Sequence, residues 1–224
     1  VISRVLFPAL SAIQDDHQRV RQVYMQATRY ISVVTFPLML GLLVIAPEFI
    51  RVVFGAKWER SIFLLQVLCI IGMLQSIVGT VGWIYLSQGR TDIMLKWGLF
   101  AASVVAISFF IGTRWEVEGV AIAYAIASFL LMFPCFYIPF RLINLSMLSF
   151  FRNFILTFTT SLGMMVIVFG CRFYLKHNLE ANDVVALLVC VSVGVIIYLG
   201  LLGIFGRKLI KDLFSLLRSR GKVS

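Results

Sequence analysis

Apolar residues in this chain run in long unbroken blocks, separated by short polar connections. Six blocks stand out: Tyr30 to Phe54, Ile62 to Ser87, Ile93 to Ile111, Gly119 to Phe140, Phe154 to Leu175 and Val184 to Phe205. Crossing about 30 Å of hydrocarbon at 1.5 Å per residue takes about 20 apolar residues in a helix, and each block meets that length. Membrane-crossing strands would alternate apolar and polar positions over segments of about 10 residues. Continuous runs predict helices, which satisfy their own backbone in lipid. The expected fold class is all-α: a polytopic transmembrane helical bundle of about six spans.

The connections sharpen this picture. GAKWERS, QGRTD, GTRWEVE and KHNLEAND join successive spans. Only the link Arg141 to Asn153, between the fourth and fifth spans, is longer. Its Leu142, Leu145, Leu148, Phe151 and Phe154 recur every three residues, which suggests a short helix lying in the headgroup layer; a loop with incidental apolar residues is the other reading. Ahead of the first span, Ile13, Val20, Tyr24, Ala27 and Ile31 fall on one helical face. Asp15 followed by Gln18 has the form of a capping box, so a helix is expected to begin in water and run directly into the first span. The opening VISRVLFPALS reads as the tail of a helix cut upstream, and the chain is expected to be a fragment.

Composition agrees with a lipid-dissolved chain. Of the 224 residues 61% are hydrophobic and 13% charged, against about 45–50% and about 25% in soluble domains. Mean hydropathy is +0.99. Six spans put alternate connections on opposite sides. One side collects Arg4, Arg19, Arg21, Arg29, Arg90, Lys96, Arg141, Arg152, Arg207, Lys208, Lys211, Arg218, Arg220 and Lys222. The other holds Arg51, Lys57, Arg60, Arg114, Arg172 and Lys176. With the acidic residues included, the whole net charge of +10 falls on the first side, which marks it as cytoplasmic and places the C-terminus there. The basic pI of about 9.9 is therefore read as membrane orientation, with no nucleic-acid partner. The tail RKLIKDLFSLLRSRGK is a basic amphipathic stretch suited to anionic lipid.

Candidate chemistry is sparse. Cys69, Cys135, Cys171 and Cys190 each sit alone in an apolar run, and His17 and His177 lie in separate connections, so no metal or disulfide framework is implied. No Ser/His/Asp or Cys/His set gathers at one boundary, the outer links are short, and neither an enzyme nor a cofactor is expected. Transport fits better. Pro37 and Pro47 interrupt the first span, where lost backbone donors kink a helix and mark possible cavity or gating positions; simple tolerance of proline in membrane helices is the alternative. Gln75 in the second span, among Gly72, Gly79 and Gly82, is a candidate for a wet interior. Small residues from Gly119 to Ser128 suit close packing. Charges near spans face a cavity, a partner or the interface. Glu48 and Arg51 stand three apart on one helical face and are expected to pair. Asp92 and Lys96 bracket the start of the third span, and Lys96 joins the cavity candidates. Arg51 and Arg172 read mainly as snorkelling. Arg4 and Arg29 would stand at the cytoplasmic mouth, where an anionic headgroup enters; snorkelling competes with that role as well.

Several segments in order resemble the second lobe of polysaccharide-exporter flippases of the multidrug/oligosaccharidyl-lipid/polysaccharide (MOP) exporter superfamily. The carrying features are FPALS at Phe7–Ser11, Pro37 with Pro47, FGAKW at Phe54–Trp58 and SQGRTD at Ser87–Asp92. The likeness is best to the lipopolysaccharide and colanic-acid branch, and it is strongest over residues 1–140. It implies a two-lobe transporter around a central cavity, of which residues 1–140 would be the second-lobe bundle and 141–224 an extra helix pair with a basic tail. It implies flipping of an undecaprenyl-diphosphate-linked oligosaccharide across the bacterial inner membrane for surface polysaccharide synthesis, with Arg4 and then Arg29 as substrate-binding candidates. The implied partners are that lipid-linked substrate, membrane lipid, the N-terminal half of the same protein and polysaccharide polymerase components. An ion-coupled exporter of a soluble molecule, and a membrane enzyme or assembly partner of polysaccharide synthesis, are the alternatives.

Overall fold

The structure, a computed structural model, describes residues 16–206. Arg4, the FPALS segment and the basic tail beyond Gly206 lie outside the described residues. Among the described residues, eight α-helices follow one another: α1 His17–Val53, α2 Ser61–Val78, α3 Gly82–Ser87, α4 Thr91–Gly112, α5 Glu116–Leu142, α6 Met147–Arg152, α7 Ile155–His177 and α8 Asp183–Phe205. The chain is an all-α, polytopic membrane protein.

Five helical stretches among the described residues are long and apolar enough to cross a membrane. One of them, Thr91–Leu142, has 52 residues and contains both α4 and α5. It reverses at a 3-10 turn, Thr113–Trp115, followed by Glu116 in the left-handed region at φ 59°. The two arms then close on each other: a Cβ on Gly119 would stand 2.5 Å from the Gly112 carbonyl oxygen, and one on Gly112 2.6 Å from Val120 Cα. Counting that hairpin as two crossings gives the six spans expected.

Helix α1 is longer than any span needs. Its 37 residues rise about 56 Å, nearly twice the hydrocarbon thickness. A single crossing accounts for about half of it, and the helix runs without a break from the amphipathic lead-in into the first span. Asp16 caps its start: Oδ1 accepts from the backbone N–H of Gln18 at 3.1 Å and of Arg19 at 3.0 Å, while Asp15, the expected cap, lies outside the described residues. The second span is split. Helix α2 stops at Val78, and α3 resumes at Gly82 after a turn containing Gly79 and Thr80. The long link contains the short helix that its three-residue spacing suggested, as α6.

The described residues form two units. The first comprises the chain up to Ser32 together with Phe63–Asn153. Its core is aromatic. Tyr24 of α1 stacks on Phe150 of α6 at 5.9 Å and meets Phe140 of α5 edge-on at 6.0 Å. Phe136 and Phe140 close on Phe150 at 5.0 and 4.7 Å. The Tyr24 hydroxyl shares a hydrogen bond of 3.0 Å with Thr80 Oγ1 in the turn between α2 and α3. Two backbone clasps complete this end: Arg21 donates to the Asn144 carbonyl at 2.8 Å, and Asn153 Nδ2 to the Met25 carbonyl at 2.8 Å.

The second unit comprises Val33–Ile62 and the chain from Phe154 onward. Here the later part of α1 packs with α7 and α8. Small residues set the spacing: a Cβ on Gly41 would lie 3.6 Å from Met164 Cε, and one on Gly194 would lie 3.3 Å from Val168 Cγ2. Phe36 meets Phe154 and Phe158 at 5.9 and 6.4 Å.

Candidate functional site

The charged side chains of the spans are where this fold departs from a passive anchor, because an unpaired charge in hydrocarbon is costly. In the second unit they form a network at the C-terminal end of α1. Glu48, only 1% exposed, receives the Arg172 guanidinium: Nε lies 2.9 Å from Oε1 and 2.9 Å from Oε2. Arg172 projects from α7, 124 residues away in sequence. The pair exists because the buried carboxylate needs a counter-charge and a charge-assisted donor to replace water, and the single Nε–H is shared between its two oxygens.

Arg51 is not the partner of Glu48 that its spacing suggested. Its Nε donates to Glu59 Oε1 at 2.7 Å, across the turn that follows α1, and its Nη1 stands 3.9 Å from Asp183 Oδ1. Asp183 in turn takes Lys176 Nζ at 2.5 Å, and the same ammonium donates to the Ala181 carbonyl at 3.0 Å. The reason is rotational. On α1, Glu48 turns inward to α7 while Arg51 is exposed, so each finds the opposite charge nearest its own face. Asp92 likewise pairs with Arg90, at 3.1 Å, while Lys96 is exposed. That bond raises the Arg90 guanidinium above its ordinary pKa.

A second feature concerns proline. Pro37 and Pro47 both lie within α1 and are half-buried. Proline at 37 cannot supply the N–H that an α-helix directs to the carbonyl four residues earlier. That carbonyl, of Val33, instead accepts the Tyr198 hydroxyl of α8 at 2.6 Å. Tyr198 had drawn no attention in the sequence, although a tyrosine amid the aliphatic residues of a span implies a buried hydroxyl in search of an acceptor.

In the first unit, Arg29 stands on α1, half-buried. Its Nε is buried and, among the described residues, has no hydrogen-bond partner. Its backbone carbonyl accepts from Ser32 Oγ at 2.7 Å. Gln75 is exposed on α2 and donates to the Tyr124 hydroxyl of α5 at 2.6 Å. Among the described residues, Arg29, Pro37, Pro47, Gln75 and Lys96 make no hydrogen bond or ion pair with one another. Cys69, Cys135 and Cys190 are buried and Cys171 half-buried, all as free thiols. No group of three or more His, Cys, Asp or Glu side chains able to hold a metal occurs among the described residues.

Comparison with known proteins places this architecture. Residues 1–63 match the model of the family described as "Polysaccharide biosynthesis protein". The chain is similar to the lipopolysaccharide biosynthesis protein WzxC of Escherichia coli (strain K12), with 29% identity over 184 residues, covering 80% of this chain and 37% of that protein. It is similar to the teichuronic acid biosynthesis protein TuaB of Bacillus subtilis (strain 168), with 28% identity over 204 residues, covering 90% of this chain and 42% of that protein. An uncharacterized membrane protein in the cps region of Klebsiella pneumoniae matches at 28% identity over 177 residues, covering 78% of this chain and 36% of that protein. The chain thus spans less than half the length of these relatives. Among solved structures, the fold is shared with the lipid II flippase MurJ in an inward closed conformation: TM-score 0.71, 23% identity, 94% of this chain and 43% of that one.

Proposed function

We propose that the chain is part of a flippase of the kind its sequence resembles, the MOP-superfamily polysaccharide exporters. The cargo we assign is an undecaprenyl-diphosphate-linked oligosaccharide, moved from the cytoplasmic to the outer leaflet of a bacterial inner membrane for surface polysaccharide synthesis. On this reading the protein binds and moves its substrate without making or breaking a covalent bond. The observation that carries it is the fold shared with a lipid flippase over 94% of the chain, joined to relatives named for lipopolysaccharide and teichuronic acid synthesis.

Arg29 is the described residue we assign to the lipid-linked anion. Its partly buried guanidinium has a buried Nε without a partner among the described residues, and a buried donor left unpaired favours any acceptor that can reach it. A diphosphate supplies such acceptors, and arginine engages phosphate oxygens in a fixed fork. Arg4, by its place in the sequence, is the companion candidate. The charge distribution supports an orientation with the α1 start, the Arg141–Asn153 link and the C-terminus on the cytoplasmic side. Residues 1–140 would then complete one lobe and 141–224 would add the outlying helix pair.

The test uses the full-length protein in a strain lacking its own copy. Arg29→Ala should reduce outer-leaflet delivery of the labelled lipid-linked oligosaccharide by about ten- to a hundredfold, the loss of one charge-assisted hydrogen bond of about 1.5–3 kcal/mol. Arg29→Lys should recover part of it, with membrane levels unchanged. Wild-type delivery by Arg29→Ala removes the binding role. Undiminished delivery by the strain without the protein removes the flippase reading altogether.

A further inference from the structure

We propose that Tyr198 is a positioning residue for α1: its hydroxyl occupies the hydrogen-bond position that Pro37 empties, and so makes the α7–α8 pair a clamp on the proline-bearing stretch of that helix. Proline at 37 leaves the Val33 carbonyl without its α-helical donor, and the ring crowds the same carbonyl, which weakens the helix against bending there. Val33 is 7% exposed and Tyr198 8%, which keeps water from serving as the substitute donor. In lipid such a group must be satisfied from within the protein. The Tyr198 hydroxyl does this at 2.6 Å from the next-to-last turns of α8.

The clamp has a second jaw. The same pair of helices holds α1 again at Glu48, through Arg172 of α7. Pro37 and Pro47 both lie between these two anchors, Val33 and Glu48. Between the anchors, α7 comes close enough that Gly41 leaves only ordinary contact room beside Met164. A helix freed of two internal backbone donors has less to resist bending. Held at both ends by another helix pair, its bend is set by that pair. The α7–α8 pair would then be able to transmit its own movements to α1. This rests on contacts within one unit and holds whatever the protein carries.

Spin labels on α1 at the exposed positions Val34 and Val53, in a cysteine-free full-length protein in nanodiscs, read the bend directly as a distance. Tyr198→Phe keeps the ring and removes the hydroxyl. With Pro37 present, it should shift the population away from the native distance by about fivefold, the weight of one neutral hydrogen bond. Pro37→Ala restores the internal N–H to Val33. In that background Tyr198→Phe should leave the distance distribution unchanged. The proposal is overturned if Tyr198→Phe has no effect beside Pro37, or has the same effect in the Pro37→Ala background. A packing role alone gives the first of these results, since the ring is retained. Because the readout needs no substrate, its outcome is independent of whether the protein is a flippase.

Discussion

Replacing Arg172 with Leu strands a carboxylate in the interior of the second unit. Glu48 is 1% exposed and loses the Nε–H donor that both its oxygens share. Removing one partner of a buried pair costs about 3–5 kcal/mol. The Arg172 side chain is 26% exposed, so solvent screens part of the attraction, and the lower end, about 3 kcal/mol, is the expected loss. That is roughly a hundredfold in the ratio of folded to unfolded protein, at about 1.4 kcal/mol per tenfold. Replacing both partners, as Glu48→Leu with Arg172→Leu, removes the stranded charge together with the attraction, and should bring stability back to within about 1 kcal/mol of the parent. The assay is a double-mutant cycle on the full-length protein in mixed micelles, with unfolding midpoints taken at constant slope. The coupling should be about 2–3 kcal/mol. Additive single-mutant losses would refute the pair as an energetic unit, and a neutral Arg172→Leu would refute the burial of a charged Glu48. The exposed pair Arg51–Glu59 is the internal comparison: its side chains are 38% and 52% exposed, and breaking it should cost less than about 1 kcal/mol.

Other consequences follow from the packing. Gly119→Ala drives a methyl to 2.5 Å from the Gly112 carbonyl oxygen and should lower unfolding stability by about 1–3 kcal/mol, whereas Gly98→Ala, with open space around it, should be neutral or slightly stabilising in the same denaturation assay. Tyr24→Phe leaves the ring in its aromatic cluster but deletes the bond to Thr80, for an expected loss of about 1 kcal/mol. Single cysteines at Asn178 and Ser146 should label from opposite faces of intact membrane vesicles; labelling from one face would overturn the six-crossing topology.

Much of the fold was legible because hydrocarbon imposes a coarse rule. A stretch of about 20 apolar residues has few ways to satisfy its backbone other than as a helix, whatever surrounds it. Hence the spans, the long start of α1 and the short α6 could be read from spacing. The split of the second span after Val78 was less accessible, although Gly79 and Gly82 stood in view. The break is held in place by the meeting of Tyr24 and Thr80, two residues 56 apart.

The charged pairs show where local reading ends. Glu48 and Arg51 share a helix and a spacing that permits an ion pair, so neighbourhood alone favoured them. The direction each residue faces depends on which helices stand around α1. Only the packed unit brings Arg172 to the buried face and Glu59 and Asp183 to the exposed one. The same holds for Pro37. That a carbonyl must lose its donor is written in the chain, since proline carries no N–H. That a hydroxyl 165 residues away restores it depends on the register of α8 against α1. The sequence by itself determined the membrane class, the approximate spans and the asymmetry of charge, all sums over short stretches governed by transfer into lipid. Tertiary structure alone decided the partners of Glu48, Arg51 and Val33, because hydrogen bonds and ion pairs act over about 3 Å and only packing brings distant segments that close.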